Sequence, residues 1–188
     1  MHKTIIYHIG GIHHKLIEIN NYFHVIDQPF FHSETSKNVF VADFFKNDSI
    51  MAISPLAEDF SNLVIYSYLD VKYDETIQVQ ITRVFNTFFA SIKNSYQLLM
   101  QQKNLRIWVL EPDINLQDGR FITEVNSFKA GVKALTTVVA MELAKKKVNV
   151  NYLENSFQLQ YFHKLLEWSE NQQNLYLTAQ NLNFNAKP

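Results

Sequence analysis

Six short runs dominated by β-branched and aromatic residues limit most strongly what this chain can become. They are Lys3 to Ile9, His24 to Asp27, Val39 to Ala42 within Asn38 to Asp43, Leu63 to Tyr66, Arg106 to Leu110 and Val148 to Leu153. Most are apolar at successive rather than alternate positions, so both faces of each strand are to be buried, which is the pattern of a parallel sheet between two helix layers. The intervening stretches carry helical spacing. His13 to Phe23 places Leu16, Ile17, Ile19 and Phe23 near one face, Ile50 to Phe60 is a weaker helical stretch, and long helices are expected over Arg83 to Gln102 and Asn126 to Lys146. In the first long helix Phe85, Phe88, Phe89, Ile92, Tyr96 and Leu99 share a stripe. In the second, Phe128, Val132, Leu135, Val139 and Leu143 line one face, and Ala130, Gly131 and Ala134 permit close approach. His163 to Ser169 reads as a short helix and Asn181 to Asn185 as a last strand. The expected fold class is α/β, a doubly wound parallel sheet with helices on both faces.

Composition removes several function classes. At 188 residues the chain has room for a single core and no linker interrupts it, so residues 1–188 are expected to form one domain. A net charge of −1 supplies no basic field for nucleic acid. No cysteine is present, which excludes disulfides, thiol nucleophiles and Cys-based metal sites. No run approaches the roughly 18 apolar residues of a membrane helix, and Met1 to Gly11 lacks the pattern of a signal peptide. The expectation is a cytoplasmic protein with no membrane partner. Among the seven histidines, His13-His14 is the sole adjacent pair. Neighbouring side chains diverge, so no metal site is expected.

The stretch Lys129 to Asn151 reads Lys-Ala-Gly-Val-Lys-Ala-Leu-Thr-Thr-Val-Val-Ala-Met-Glu-Leu-Ala-Lys-Lys-Lys-Val-Asn-Val-Asn. It resembles the short-chain dehydrogenase/reductase family, whose fifth helix begins at an active-site lysine and leads through Ala-x-Glu-Leu-Ala into a Val-Asn strand end. Leu175-Tyr176-Leu177-Thr178-Ala179-Gln180 is similar to that family's Tyr-Ile-Thr-Gly-Gln segment. The resemblance spans nearly the whole chain and is 3-oxoacyl reductase-like. It implies one Rossmann-like domain, shorter than usual between the second and third strands and in the loop after Asn151.

The family's chemistry uses a serine, a tyrosine and a lysine. The tyrosine stands four residues before the lysine, and the serine about thirteen before the tyrosine. The tyrosine is the general acid, and a lysine ammonium brings its pKa of about 10 down by favouring the phenolate. Counted back from Lys129, the tyrosine position holds Val125 and the serine position holds Pro112. Neither donates a proton, so Lys129 alone of the set is retained. The cofactor turn is altered too. Ile9-Gly10-Gly11-Ile12-His13-His14 has two adjacent glycines where the family spreads three, and Tyr66-Ser67-Tyr68 replaces the Asn-Ala-Gly that closes the fourth strand. Gly10, Gly11 and Lys129 are the residues the resemblance would assign to cofactor binding. Gly10-Gly11 also reads as a plain strand-to-helix turn, and Lys129 as a relic engaged in a salt bridge. Asn86 lies within a residue of the family's helix-four asparagine, with Phe85 the closer register match.

Two functions follow. One is a non-catalytic member of the family, needing no cofactor, that serves as a structural or regulatory subunit. Its partner is a second copy, in a homodimer or homo-oligomer through helices 83–102 and 126–146, or an active short-chain reductase. The alternative is an NAD(P)H-dependent reductase of a 3-oxoacyl thioester or small ketone that recruits Tyr66, Tyr68 or Tyr152 as its acid. Under the first, Phe85, Phe88, Phe89, Ile92, Ala130, Gly131 and Ala134 are the interface residues.

Overall fold

The structure is a computed structural model and describes residues 3–11, 22–27, 38–53, 60–70, 76–102, 104–115, 121–154, 159–171 and 178–183. Its strands are β1 (Lys3–Ile9), β2 (Phe23–Asp27), β3 (Val39–Ala42), β4 (Phe60–Asp70), β5 (Arg106–Leu110), β6 (Asp113–Asn115), β7 (Asn149–Glu154) and β8 (Asn181–Asn183). Every pairing is parallel and the order is β3-β2-β1-β4-β5-β7-β8, with β6 added to β4. The chain winds outward from β1 through β2 to β3, returns to the other side of β1 as β4, and winds outward again. β1 and β4 therefore flank the point where the winding reverses, and ligands of open α/β sheets bind beyond the strand ends there. This is the expected doubly wound, Rossmann-like domain.

Burial follows strand parity. Ile5, Tyr7, Ile9, Leu63, Ile65, Ile107, Val109 and Val150 face one core, and Ile6, Val64, Tyr66, Trp108, Leu110 and Leu153 the other. Helices α1 (Asn47–Met51), α2 (Ile77–Met100) and α3 (Ile122–Ala144) contribute to the first core, and Phe162, Leu165 and Leu166 of α4 (Leu159–Asn171) to the second. Two polar pairs bridge elements inside: the Tyr7 hydroxyl and Ser95 Oγ are 3.0 Å apart under α2, and Trp108 Nε1 donates to Asn62 Oδ1 at 3.0 Å. Such pairing is needed because an unsatisfied buried donor costs about 1–3 kcal/mol.

Four local readings change. α2 begins at Ile77 rather than Arg83, because Ile77-Gln78-Val79-Gln80 alternates and hides the spacing by which Ile77, Gln80 and Val84 are buried. The helix expected over Ile50 to Phe60 is confined, among described residues, to Asn47–Met51, with residues 54–59 outside the description. β6 is unheralded, since Asp-Ile-Asn has no strand-like run and is a strand by virtue of pairing with β4. Phe88 and Ile92, expected at an interface, instead lie in the first core. The helical stretch expected over His13 to Phe23 falls mostly outside the described residues.

Phe88→Ala removes a ring that is 1% exposed, and it is expected to lower the unfolding free energy by about 3–5 kcal/mol. Val79→Ala, on the solvent side of the same helix, should change it by less than about 0.5 kcal/mol. Urea unfolding of the two variants checks the assignment of faces.

Candidate functional site

α3 packs along β7, and its four-residue spacing puts Val125, Lys129 and Lys133 on successive turns of one side. Val125 is buried in the core, and Pro112 is buried in the link between β5 and β6. Lys129 Nζ lies 3.0 Å from Glu111 Oε1, just past β5, and Lys133 Nζ lies 2.7 Å from Glu154 Oε1 at the end of β7. Asn181 Nδ2 also donates to that carboxylate oxygen at 2.8 Å. The lysine singled out in the sequence is thus held by a carboxylate that sequence reasoning did not connect to it. Both pairs are partly exposed, so each contributes at most about 1 kcal/mol, and their effect is to neutralise the cleft.

Tyr152 of β7 is buried in the first core. Burial pushes its hydroxyl pKa well above the usual range, and the Glu111 and Glu154 carboxylates push it further. Tyr66 is driven the same way, first by burial and then by Asp113, whose Oδ2 accepts its hydroxyl at 3.4 Å. A tyrosine acid aided by lysine requires the opposite shift.

Gly10 has φ +78°, a left-handed conformation that glycine adopts without strain. A Cβ placed there would strike the Tyr68 carbonyl oxygen and come within 2.6 Å of Val84 Cγ2. A Cβ on Gly11 would meet the Tyr68 ring, whose Cγ would stand 3.2 Å away. The space the two glycines leave open is therefore taken by Tyr68. Asn86 is exposed on α2, and Phe85 packs on Gly131 of α3, whose added Cβ would lie 3.2 Å from its ring.

On the other sheet face His8 Nε2 and His24 Nδ1 are 3.0 Å apart, both buried, with the His8 ring edge-on to Tyr66. Their two-strand pairing follows from register and had no sequence signal beyond the histidine count. His13 and His14 lie outside the described residues, among which no group of three potential ligands could hold a metal ion. No helix among the described residues is long and apolar enough to cross a membrane.

No protein-family model matches the chain, and no curated protein matches it in sequence. Solved structures match over nearly its full length. An oxidoreductase of the short-chain dehydrogenase/reductase family from Brucella ovis, in complex with a partially ordered NAD, aligns at TM-score 0.61 and 16% identity, covering 98% of this chain and 100% of that one. A short-chain dehydrogenase from Leptospira borgpetersenii with bound NAD+ gives 0.60 and 15%, covering 97% and 91%. One from Mycobacterium smegmatis gives 0.60 and 12%, covering 100% and 93%. The fold is that of the short-chain dehydrogenase/reductases. At the described part of the glycine turn, the Tyr68 carbonyl lies beside Gly10 and the Tyr68 ring beside Gly11.

The Tyr7 hydroxyl is pushed up to about 12 by burial, against a smaller opposing effect of Ser95. Its folded pKa lies above the unfolded value of about 10, so the associated stability is complete below that pH and is lost as pH rises through about 12. Tyr66 and Tyr152 share the direction. Urea midpoints should hold up to about pH 10 and fall beyond it, less steeply in Tyr7→Phe. In an ultraviolet titration Glu111→Gln should lower the Tyr152 pKa, and an unchanged value would show that the carboxylate does not reach it.

Proposed function

We propose that this chain is a non-catalytic protein with the short-chain dehydrogenase/reductase fold, acting as a structural or regulatory subunit of an oligomer or of a complex with an active relative. The observation that carries the reading is the Lys129 site. Its ammonium is engaged by Glu111, one turn from a buried Val125, so the position that chemistry gives to its acid carries no hydroxyl. Losing a positioned general acid costs about 10² to 10⁴ in rate, and the loss of the serine hydrogen bond adds to it.

The subunit role draws support from the outer faces of α2 and α3. Ile122, Val138 and Met141 are 62%, 53% and 67% exposed and continue the stripe of exposed Ala130 and Ala134, with Phe89 53% and Tyr96 44% exposed on α2. Phe85 and Gly131 meet within the chain and set how closely the helices approach. A wide apolar and small-residue face of this kind suits an isologous contact with a second copy.

The alternative is an NAD(P)H-dependent carbonyl reductase with a non-standard site. The cofactors named for the Brucella and Leptospira structures favour it, and the raised pKa values of Tyr66 and Tyr152 oppose it. Calorimetric titration separates the two. The subunit reading expects no NADH or NADPH binding at micromolar concentration, whereas a low-micromolar Kd, about −8 kcal/mol, would favour the reductase.

Light scattering should show a dimer, and Phe89→Glu or Ala134→Arg should dissociate it at least tenfold without unfolding the chain. A monodisperse 22.0 kDa species in the unmutated protein would remove the homo-oligomer and leave the active relative as the partner to seek.

A further inference from the structure

We infer that Tyr68 is the resident occupant of the Gly10-Gly11 turn, and that β4, overrunning β1 and tied down by β6, closes the crevice in which this fold takes its ligands. The β1–β4 ladder ends where Ile9 meets Ser67. β4 continues for Tyr68, Leu69 and Asp70, and these pair with Asp113, Ile114 and Asn115 of β6. A strand that stopped at Ser67 would leave the mouth between β1 and β4 open at the winding reversal. Continued, it lays the Tyr68 carbonyl on Gly10 and the Tyr68 ring on Gly11.

The overrun is held from two directions. Its backbone belongs to the β4–β6 ladder, which fixes the direction in which the Tyr68 Cβ projects. Beside it, the Tyr66 ring stacks at 6.5 Å and 20°, anchored through its hydroxyl to Asp113, the residue opposite Tyr68 in register. His8, bonded to His24, abuts Tyr66 from β1. On this account the two glycines are kept for an internal contact. Gly10 is needed for its positive φ and the passing carbonyl, and Gly11 for the ring.

This inference adds to the subunit reading a second reason for weak cofactor binding, and its test reads the contact itself. Thermal unfolding is compared for the parent, Gly11→Ala, Tyr68→Ala and the double variant. Gly11→Ala should lower Tm by roughly 5 °C in the parent, an overpacking effect, and by less than about 1 °C in the Tyr68→Ala background. An equal loss in both backgrounds overturns the inference. Amide hydrogen exchange on the unmutated protein supplies the second measurement. Residues 68–70 and 113–115 should show sheet-like protection that excess NADPH leaves unchanged, and a change there on adding NADPH overturns the closure. A chain that binds no dinucleotide yet shows equal Gly11→Ala losses would keep the subunit reading and discard this one.

Discussion

The placement of β4 beside β1 is the constraint on which the rest of the molecule depends. Its eleven residues pair with β1 on one side and with β5 and then β6 on the other, so the two halves of the sheet are joined through this strand. Leu63 and Ile65 point into one core and Val64 and Tyr66 into the other. At roughly 1.5–3 kcal/mol for each large side chain removed from water, this double burial is what fixes the register. Once the register is fixed, the overrun past Ser67 is fixed too, and with it the position of Tyr68 over the glycine turn.

A second consequence concerns charge. At the carboxyl ends of β5 and β7 the cleft holds two lysines and two carboxylates in matched pairs. A site that lowers a phenol pKa needs an uncompensated cation beside it. Here Tyr152 stands near both carboxylates, and its shift runs upward after burial has already raised it. The paired charges and the covered glycine turn are separate features of different strands.

Much of the architecture was legible because hydrophobic period is a local property. The runs at residues 3–9, 63–66, 106–110 and 148–153 needed only their own composition to be read as buried strands, and the Lys129 to Asn151 register pointed to the fold through a single helix and strand. The facing of the long helices was only partly legible. A stripe on α2 shows which residues are apolar, but whether Phe88 and Ile92 face the sheet while Phe89 faces solvent depends on how the helix is rotated against its neighbours. The early start of α2 was hidden because Ile-Gln-Val-Gln carries no helical period.

By itself the sequence determined the parallel α/β class, the altered Val125, Pro112 and glycine-turn positions, and the survival of Lys129, since each is a matter of residue identity and spacing along the chain. Only the tertiary structure decided that Glu111 takes Lys129, that Glu154 takes Lys133, that His8 meets His24, and that the Tyr68 ring lies on Gly11. Each of these joins residues 16 or more positions apart, through strand register or through a helix packed along a strand. Such contacts follow from the way the sheet assembles as a whole, to which no local period or motif refers.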